Sequence, residues 1–330
     1  MGPTMQISTQ PAVAKASIKP PVRPAALVAP ACALVTEEPV WFITGCSTGL
    51  GLELVQQAIA NGFRTVVTAR NPSTMQKLES HDNVLVLRLD VTDPFCVAAA
   101  VAAAERRFGH IDVLVNNAGV GYFGAIEEGE PEAVRAMFDV NVFGMCAMVK
   151  AVLPGMRQRR QGCVVNISSL GGLRASAALG YYNATKFAVE GLSEALWQEV
   201  EPLGIQVMVV EPSGFRTDWA GRSAHESEHQ IEDYAATAGA VRQQLRARSG
   251  KQPGDPVRAA KAILAAVQSG QAPHHLLLGA DAFEGALSKL DALRHDIVAA
   301  EQVARGADFP AQEQVPLPDA KSSAAVTPLQ

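Results

Sequence analysis

The chain has no unbroken apolar run near the roughly 18 residues that a spanning helix needs, so the sequence does not read as that of a membrane-spanning protein. Positive charge is also short: 28 Lys and Arg stand against 33 Asp and Glu, a formal charge of −5, and no basic block occurs. The phosphate-neutralising surface of a nucleic-acid binder is therefore missing. Cysteine is sparse. Cys32, Cys46, Cys96, Cys146 and Cys163 are odd in number, widely spaced and free of any C-x-x-C, which argues against a disulfide framework and a zinc site and fits a reducing, cytoplasmic compartment.

Residues 1–38 are rich in Ala, Pro, Ser and Thr, carry no acid before Glu37, and read as a disordered arm. A targeting role is the other reading of this arm, because Lys15, Lys19 and Arg23 precede a short apolar stretch that ends near Ala31, Cys32 and Ala33. Residues 306–330, with four prolines, read as a second disordered tail. Between them, 39–305 form one folded unit. Short β-branched runs at 40–44, 64–69, 83–89, 112–116, 162–168, 205–211 and 274–279 alternate with helical stretches at 50–61, 74–80, 94–108, 132–159, 181–201 and 256–269. That alternation predicts a single α/β domain of Rossmann type, a doubly wound, seven-stranded parallel sheet flanked by helices. The polar, Gly- and Ala-containing stretch 213–254 breaks the rhythm and reads as a lid near the ligand.

The first strand runs directly into Thr44-Gly45-Cys46-Ser47-Thr48-Gly49-Leu50-Gly51 and then a helix. This is the order that a dinucleotide pyrophosphate requires. Gly45 permits the sharp turn, Gly49 lets backbone N–H groups approach the phosphates, and Gly51 permits close helix packing, with Ser47, Thr48 and Leu50 completing the loop. At the end of the second strand, Thr68-Ala69-Arg70 offers no carboxylate for the ribose hydroxyls but does offer a cation for a 2′-phosphate. NADP(H) is therefore favoured, with NAD(H) possible; the alternative for Arg70 is an ordinary solvated side chain.

Tyr182 and Lys186 are four apart in a helical stretch, so they share a face. A phenol with a pKa of about 10 gains acid/base use when an ammonium beside it favours the phenolate.

The T-G-x-x-x-G-x-G turn, Asn116-Asn117-Ala118-Gly119, Asn141-Val142-Phe143-Gly144 and Tyr182-Asn183-Ala184-Thr185-Lys186 together resemble the short-chain dehydrogenase/reductase superfamily. The resemblance is to its shorter branch, with retinol and 17β-hydroxysteroid dehydrogenases as the nearest look. It implies a catalytic set of Ser169, Tyr182, Lys186 and Asn141. In that pattern Ser169 orients the substrate oxygen, Lys186 also holds the nicotinamide ribose, and Asn141 supports a water between Lys186 and solvent. A buried, satisfied amide is the alternative for Asn141. Ser168 is set aside because strand alternation points it the other way.

The resemblance further implies cofactor contacts from Asp90, Val91, Asn117, Ala118, Gly119, Pro212 and Thr217, with Thr217 holding the carboxamide for pro-S hydride transfer. Asp90 reads alternatively as a cap or turn residue before Thr92-Asp93-Pro94. Leu170, Tyr181, Phe215 and Trp219 are the candidate substrate contacts, and with Tyr122, Phe123 and Leu173 they predict an apolar pocket for a hydrophobic ketone, aldehyde or alcohol. Relatives commonly pair as homodimers or homotetramers through helices matching 132–159 and 181–201. Two rivals follow from the same residues: an NAD-linked secondary-alcohol dehydrogenase, and a non-catalytic NADP(H)-sensing protein. No metal is expected, His225 and His229 reading as solvated lid residues; His274 and His275 receive no function.

Overall fold

The computed structural model describes residues 38–310. The expectations for the two tails therefore fall almost wholly outside the described residues.

β1 (Val40–Ile43) is fully buried, as a strand covered on both faces must be. It leads into α1 (Gly49–Ala60), β2 (Arg64–Ala69), β3 (Val84–Arg88), α2 (Pro94–Phe108) and β4 (Val113–Asn116). The stretch expected as helix at 74–80 is a 3-10 segment, Pro72–Ser80, with only Met75 buried. Its i→i+3 winding suits a short surface connector better than an α-helix with one apolar contact. The ends of α2 are set by local chemistry: Asp93 accepts from the N–H groups of Phe95 and Cys96, and Gly109 takes φ 87° to end the helix.

Next come β5 (Gly121–Phe123), α3 (Pro131–Phe138), α4 (Met145–Arg159), β6 (Gly162–Ile167), α5 (Gly180–Val200) and β7 (Ile205–Pro212). The chain then forms β8 (Ala224–Glu226), α6 (Ala240–Ala247), α7 (Pro256–Gln268), β9 (His275–Leu278), α8 (Ala280–Ala299) and α9 (Glu301–Arg305). The main sheet has seven parallel strands in the order β3-β2-β1-β4-β6-β7-β9. One apolar layer packs α1 and α7 on one face; a second packs α2 and α4 on the other. The strand order reverses between β1 and β4, which opens a crevice at their C-terminal ends.

Three further local features differ from the sequence expectation: a π turn, a small second sheet and a helix after β9. The helix expected over 132–159 is interrupted by a π turn, Asp139–Gly144, between α3 and α4. By composition the combined stretch Pro131–Arg159 is long and apolar enough to cross a membrane, although no unbroken apolar run occurs; it packs against α2 and the sheet. β5 and β8 pair in a small parallel sheet, Tyr122 opposite His225, too short for alternation to announce. Consequently His225 lies on a strand and not on one helix face with His229. The lid at 213–254 is an ordered cap, fastened by buried Arg242, whose Nη1 donates to Glu128 Oε2 at 3.3 Å and whose Nε forms an ion pair with Glu226 Oε1 at 3.1 Å. Finally, α8 follows β9 directly, its stripe of Phe283, Leu287, Leu290 and Ile297 largely exposed.

Candidate active site

A cleft of about 1940 Å³ runs along the C-terminal ends of the strands. Its first wall is the glycine turn. Gly45 adopts φ +69° and Gly49 φ +61°, and a Cβ on Gly45 would sit 2.8 Å from Ala118 Cα. A side chain is thus excluded there twice, by conformation and by space. Gly51 lies behind the cleft, where a Cβ would meet Asn117 Nδ2 at 2.4 Å and the Gly45 carbonyl at 2.5 Å. The turn is held from the next strand: Asn117 Nδ2 donates to the carbonyls of Thr44 and Gly45 at 2.9 and 3.0 Å, and Thr44 Oγ1 accepts from the N–H groups of Asn117 and Ala118. Thr48 caps α1 without a side-chain hydrogen bond, so the helix keeps its orphan N–H groups for an anion. The residues present therefore fit a dinucleotide pyrophosphate.

Ser47, Thr48, Gly49, Leu50, Arg70, Asp90, Val91, Asn117, Ala118 and Gly119 all border the cleft. Arg70 is exposed at its rim. Asp90 borders the cleft, and its Oδ1 accepts from Thr92 N and Thr92 Oγ1 at 3.0 and 2.7 Å. Those two bonds hold its carboxyl below the usual carboxylate range.

The chemistry-bearing residues meet at the floor. Tyr182 and Lys186 project from the first turns of α5, and Ser169 follows β6. All three border the cleft, as do Pro212 at the end of β7 and Thr217 in the segment that follows it. Lys186 Nζ lies 5.8 Å from the Tyr182 ring centroid and donates to the Ile167 carbonyl at 2.8 Å. Burial pushes the Tyr182 phenol up to about 12 against the opposing pull of the Ser169 hydroxyl, and it pushes the Lys186 ammonium down to about 8. The sequence expectation that Lys186 lowers the phenol is thus outweighed by desolvation here, and Tyr182 carries its proton at neutral pH. Ser168 is buried and borders the cleft as well, so strand alternation does not remove it from the lining.

Asn141 stands outside the cleft lining. Buried inside the π turn, its Oδ1 accepts from Val120 N at 2.8 Å, and its Nδ2 donates to the Val120 carbonyl at 2.9 Å and to Thr185 Oγ1 at 3.1 Å. It ties the strand that follows Gly119 to the helix that carries Tyr182 and Lys186. The Asn141 side-chain amide is thereby satisfied within the fold.

Of the substrate candidates, Leu170, Phe215 and Trp219 border the cleft. Tyr181 does not: it packs edge-on to Tyr122, and its hydroxyl donates to the Ile126 carbonyl at 2.9 Å. On a helix, the residue next to Tyr182 points about 100° away, which removes it from the same cavity. Phe123 and Leu173 are likewise outside the lining, whereas Tyr122 is within it. The sequence missed Asp281, Glu284, Gly285 and Ser288 of α8, which close one side of the cleft. The apolar stripe of α8 is the signal that would have revealed this helix.

The profile of the short chain dehydrogenase family matches residues 39–228. The chain is a short-chain dehydrogenase/reductase. It is 40% identical over 248 residues to Oxidoreductase BOA17 of Botryotinia fuckeliana, covering 74% of this chain and 90% of that one. Retinol dehydrogenase 8 of Homo sapiens is 38% identical over 189 residues, 54% of this chain and 60% of its own, in keeping with the retinol-dehydrogenase look of the motifs. A short-chain dehydrogenase from Streptomyces avermitilis is 41% identical, has a TM-score of 0.77, and is covered over 100% of its length by 82% of this chain. This short-chain dehydrogenase/reductase is accordingly an oxidoreductase acting on CH–OH and C=O groups, built on a fold that binds NAD(P)(H).

Proposed function

We propose that this short-chain dehydrogenase/reductase is an NADP(H)-dependent enzyme that interconverts a hydrophobic ketone or aldehyde and its alcohol. The observation that carries the reading is the convergence of Ser169, Tyr182 and Lys186 at the floor of a cleft whose other end is the glycine turn. A nicotinamide dinucleotide bound there supplies or accepts the hydride. Ser169 holds the substrate oxygen by a hydrogen bond, and Tyr182 donates its proton to that oxygen in reduction or removes it in oxidation. Lys186 supplies positive charge beneath the phenol, so that the phenolate formed on donation is stabilised. Tyr122, Met137, Leu170, Phe215 and Trp219 give the substrate end apolar walls, which favours a hydrophobic carbonyl compound.

Preference for NADP(H) is supported by Arg70 at the rim and by the lack of an acid at the end of β2. Assembly as a homodimer or homotetramer is supported by apolar side chains left exposed on the π turn and α5, Phe143, Phe187 and Leu192. The low cysteine count supports work in the cytoplasm.

The test is NADPH and NADH consumption against aromatic, retinoid, steroid and aliphatic carbonyls, with Tyr182→Phe and Arg70→Ala alongside. Turnover is expected to fall by about 10²-fold or more in Tyr182→Phe, with NADPH binding retained. Arg70→Ala is expected to weaken NADPH binding by about tenfold and leave NADH binding nearly unchanged. NADPH binding without turnover of any carbonyl would leave a sensor; stronger binding of NADH would defeat the cofactor preference.

A further inference from the structure

Outside the cleft lining, Glu190 of α5, Glu211 of β7 and His275 of β9 converge on one point. β7 and β9 run parallel with Val209 opposite His275, so Glu211, two residues further on, shares a sheet face with His275. Glu190 meets that face from α5. His275 Nδ1 is 2.6 Å from Glu211 Oε1 and 3.9 Å from Glu190 Oε2. One ligand atom from each of the three residues falls within 4.8 Å of the others. No sequence spacing announces the set, because its members come from three elements.

The fold leaves these acids unmet. The Glu211 side chain is fully buried, yet its Oε2 has no hydrogen-bond partner among the described residues, and neither Glu190 oxygen has one. The buried Ser168 Oγ is also unpartnered, and it points to the same place: a Cβ on Gly172 would lie 2.5 Å from it and 2.8 Å from Glu190 Oε1. A buried carboxylate needs a counter-charge or must take up a proton. No Lys or Arg supplies that charge among the described residues. Lys186, one turn before Glu190, donates to the Ile167 carbonyl and forms no ion pair with either acid. His275 can contribute one positive charge at most, against two carboxylates.

We propose that Glu190, Glu211 and His275 Nδ1 bind one Zn²⁺ ion, which clips α5 to β7 and to the edge strand β9. The donor set selects the metal: one imidazole nitrogen and two carboxylate oxygens suit zinc, whereas Mg²⁺ and Ca²⁺ favour oxygen ligands alone and more of them. Two carboxylates and a neutral imidazole also cancel the charge of a divalent ion. Ligand atoms about 2.1 Å from a tetrahedral ion lie roughly 3.4 Å apart. The 2.6 Å contact therefore opens and the 3.9 Å contact closes, each by less than about 1 Å, which side-chain rotation provides. The His275 side chain is 45% exposed, so the ion has an entry path and water completes its coordination. Without the ion a proton takes its place, on a Glu190 carboxyl that burial and the Glu211 charge hold above the usual range. The site is structural and does not depend on the proposed reaction: it fixes the helix that carries Tyr182 and Lys186, and the strand from which α8 continues to the cleft wall.

The test strips the full-length chain with a chelator and titrates it with Zn²⁺ by calorimetry, with Co²⁺ as a visible-absorption probe of the same site. Saturation is expected at about one ion per chain, with a thermal midpoint that rises as free Zn²⁺ rises. His275 is at the surface, so His275→Ala is expected to fold with the midpoint of the metal-free wild type. It should weaken Zn²⁺ binding by about 100-fold or more and abolish the Co²⁺ bands. Glu190→Gln and Glu211→Gln keep side-chain size and should each lose the ion as well. His225→Ala removes an exposed imidazole beside Glu130 and should bind Zn²⁺ as the wild type does. No saturable Zn²⁺ binding by the wild type overturns the site. So does His275→Ala binding as tightly as the wild type, which means an adventitious ion only. Binding that leaves the thermal midpoint unmoved overturns the clip.

Discussion

Asn141 donates to Thr185 Oγ1 at 3.1 Å, and this one bond joins the π turn between α3 and α4 to the helix that carries Tyr182 and Lys186. The same amide clamps both backbone groups of Val120, so three polar groups depend on a single buried side chain. Asn141→Ala is expected to destabilise the fold by about 2–4 kcal/mol, because the Val120 N–H and carbonyl lose their partner in the interior. Urea unfolding measures this. A loss below about 0.5 kcal/mol would mean that water replaces the amide.

Gly51 makes the second prediction. A Cβ there meets backbone oxygen at 2.5 Å and the Asn117 amide at 2.4 Å, and neither can yield without opening the glycine turn. Gly51→Ala is expected to cost about 1–3 kcal/mol of stability and to weaken NADPH binding by about tenfold or more. Calorimetric titration of NADPH, with thermal unfolding in parallel, checks both effects.

The cap over the cleft hangs on Arg242. Its guanidinium is buried between Glu128 and Glu226, and Glu128 also accepts from the N–H groups of Ala125 and Ile231. Arg242→Ala leaves buried charge unpaired, and an expected loss of about 3–5 kcal/mol follows. Arg242→Met preserves much of the volume and separates the ionic contribution from packing. If both variants unfold at the wild-type midpoint, the cap is not fastened as described.

Stability should also depend on pH through Glu190. Its folded pKa, about 7, lies above the ordinary 4.5, so its protonated form contributes stability that is complete below the unfolded value and is lost as pH rises through the folded one. The wild type should therefore lose stability between about pH 4.5 and 7 relative to Glu190→Gln, by a few kcal/mol at most at 1.36 kcal/mol per unit. Paired denaturation curves across that range decide it; parallel curves would place the proton elsewhere.

Much of the site was readable because it is local. The glycine turn, the Tyr182–Lys186 spacing and the strand ends at Asn117 and Ser169 are short-range patterns, and the structure gathers them by the ordinary geometry of parallel β/α units. Tyr181 shows the limit of such reading. It is a candidate substrate contact by sequence, but the helix turns it toward Ile126.

The sequence by itself determined the doubly wound sheet, the turn that only glycine can make, and the pairing of phenol and ammonium on one helix face, since each depends on residue type and on spacing within a single element. Tertiary structure alone decided the rest. Burial, which no residue carries by itself, set the Tyr182 phenol at about 12 and the Lys186 ammonium at about 8. Contacts across long separations fastened the cap through Arg242 and Glu128, spent Asn141 on Val120 and Thr185, and brought Glu190, Glu211 and His275 together from three elements. These are sums over neighbours that the chain meets only when folded, and spacing along the sequence does not encode them.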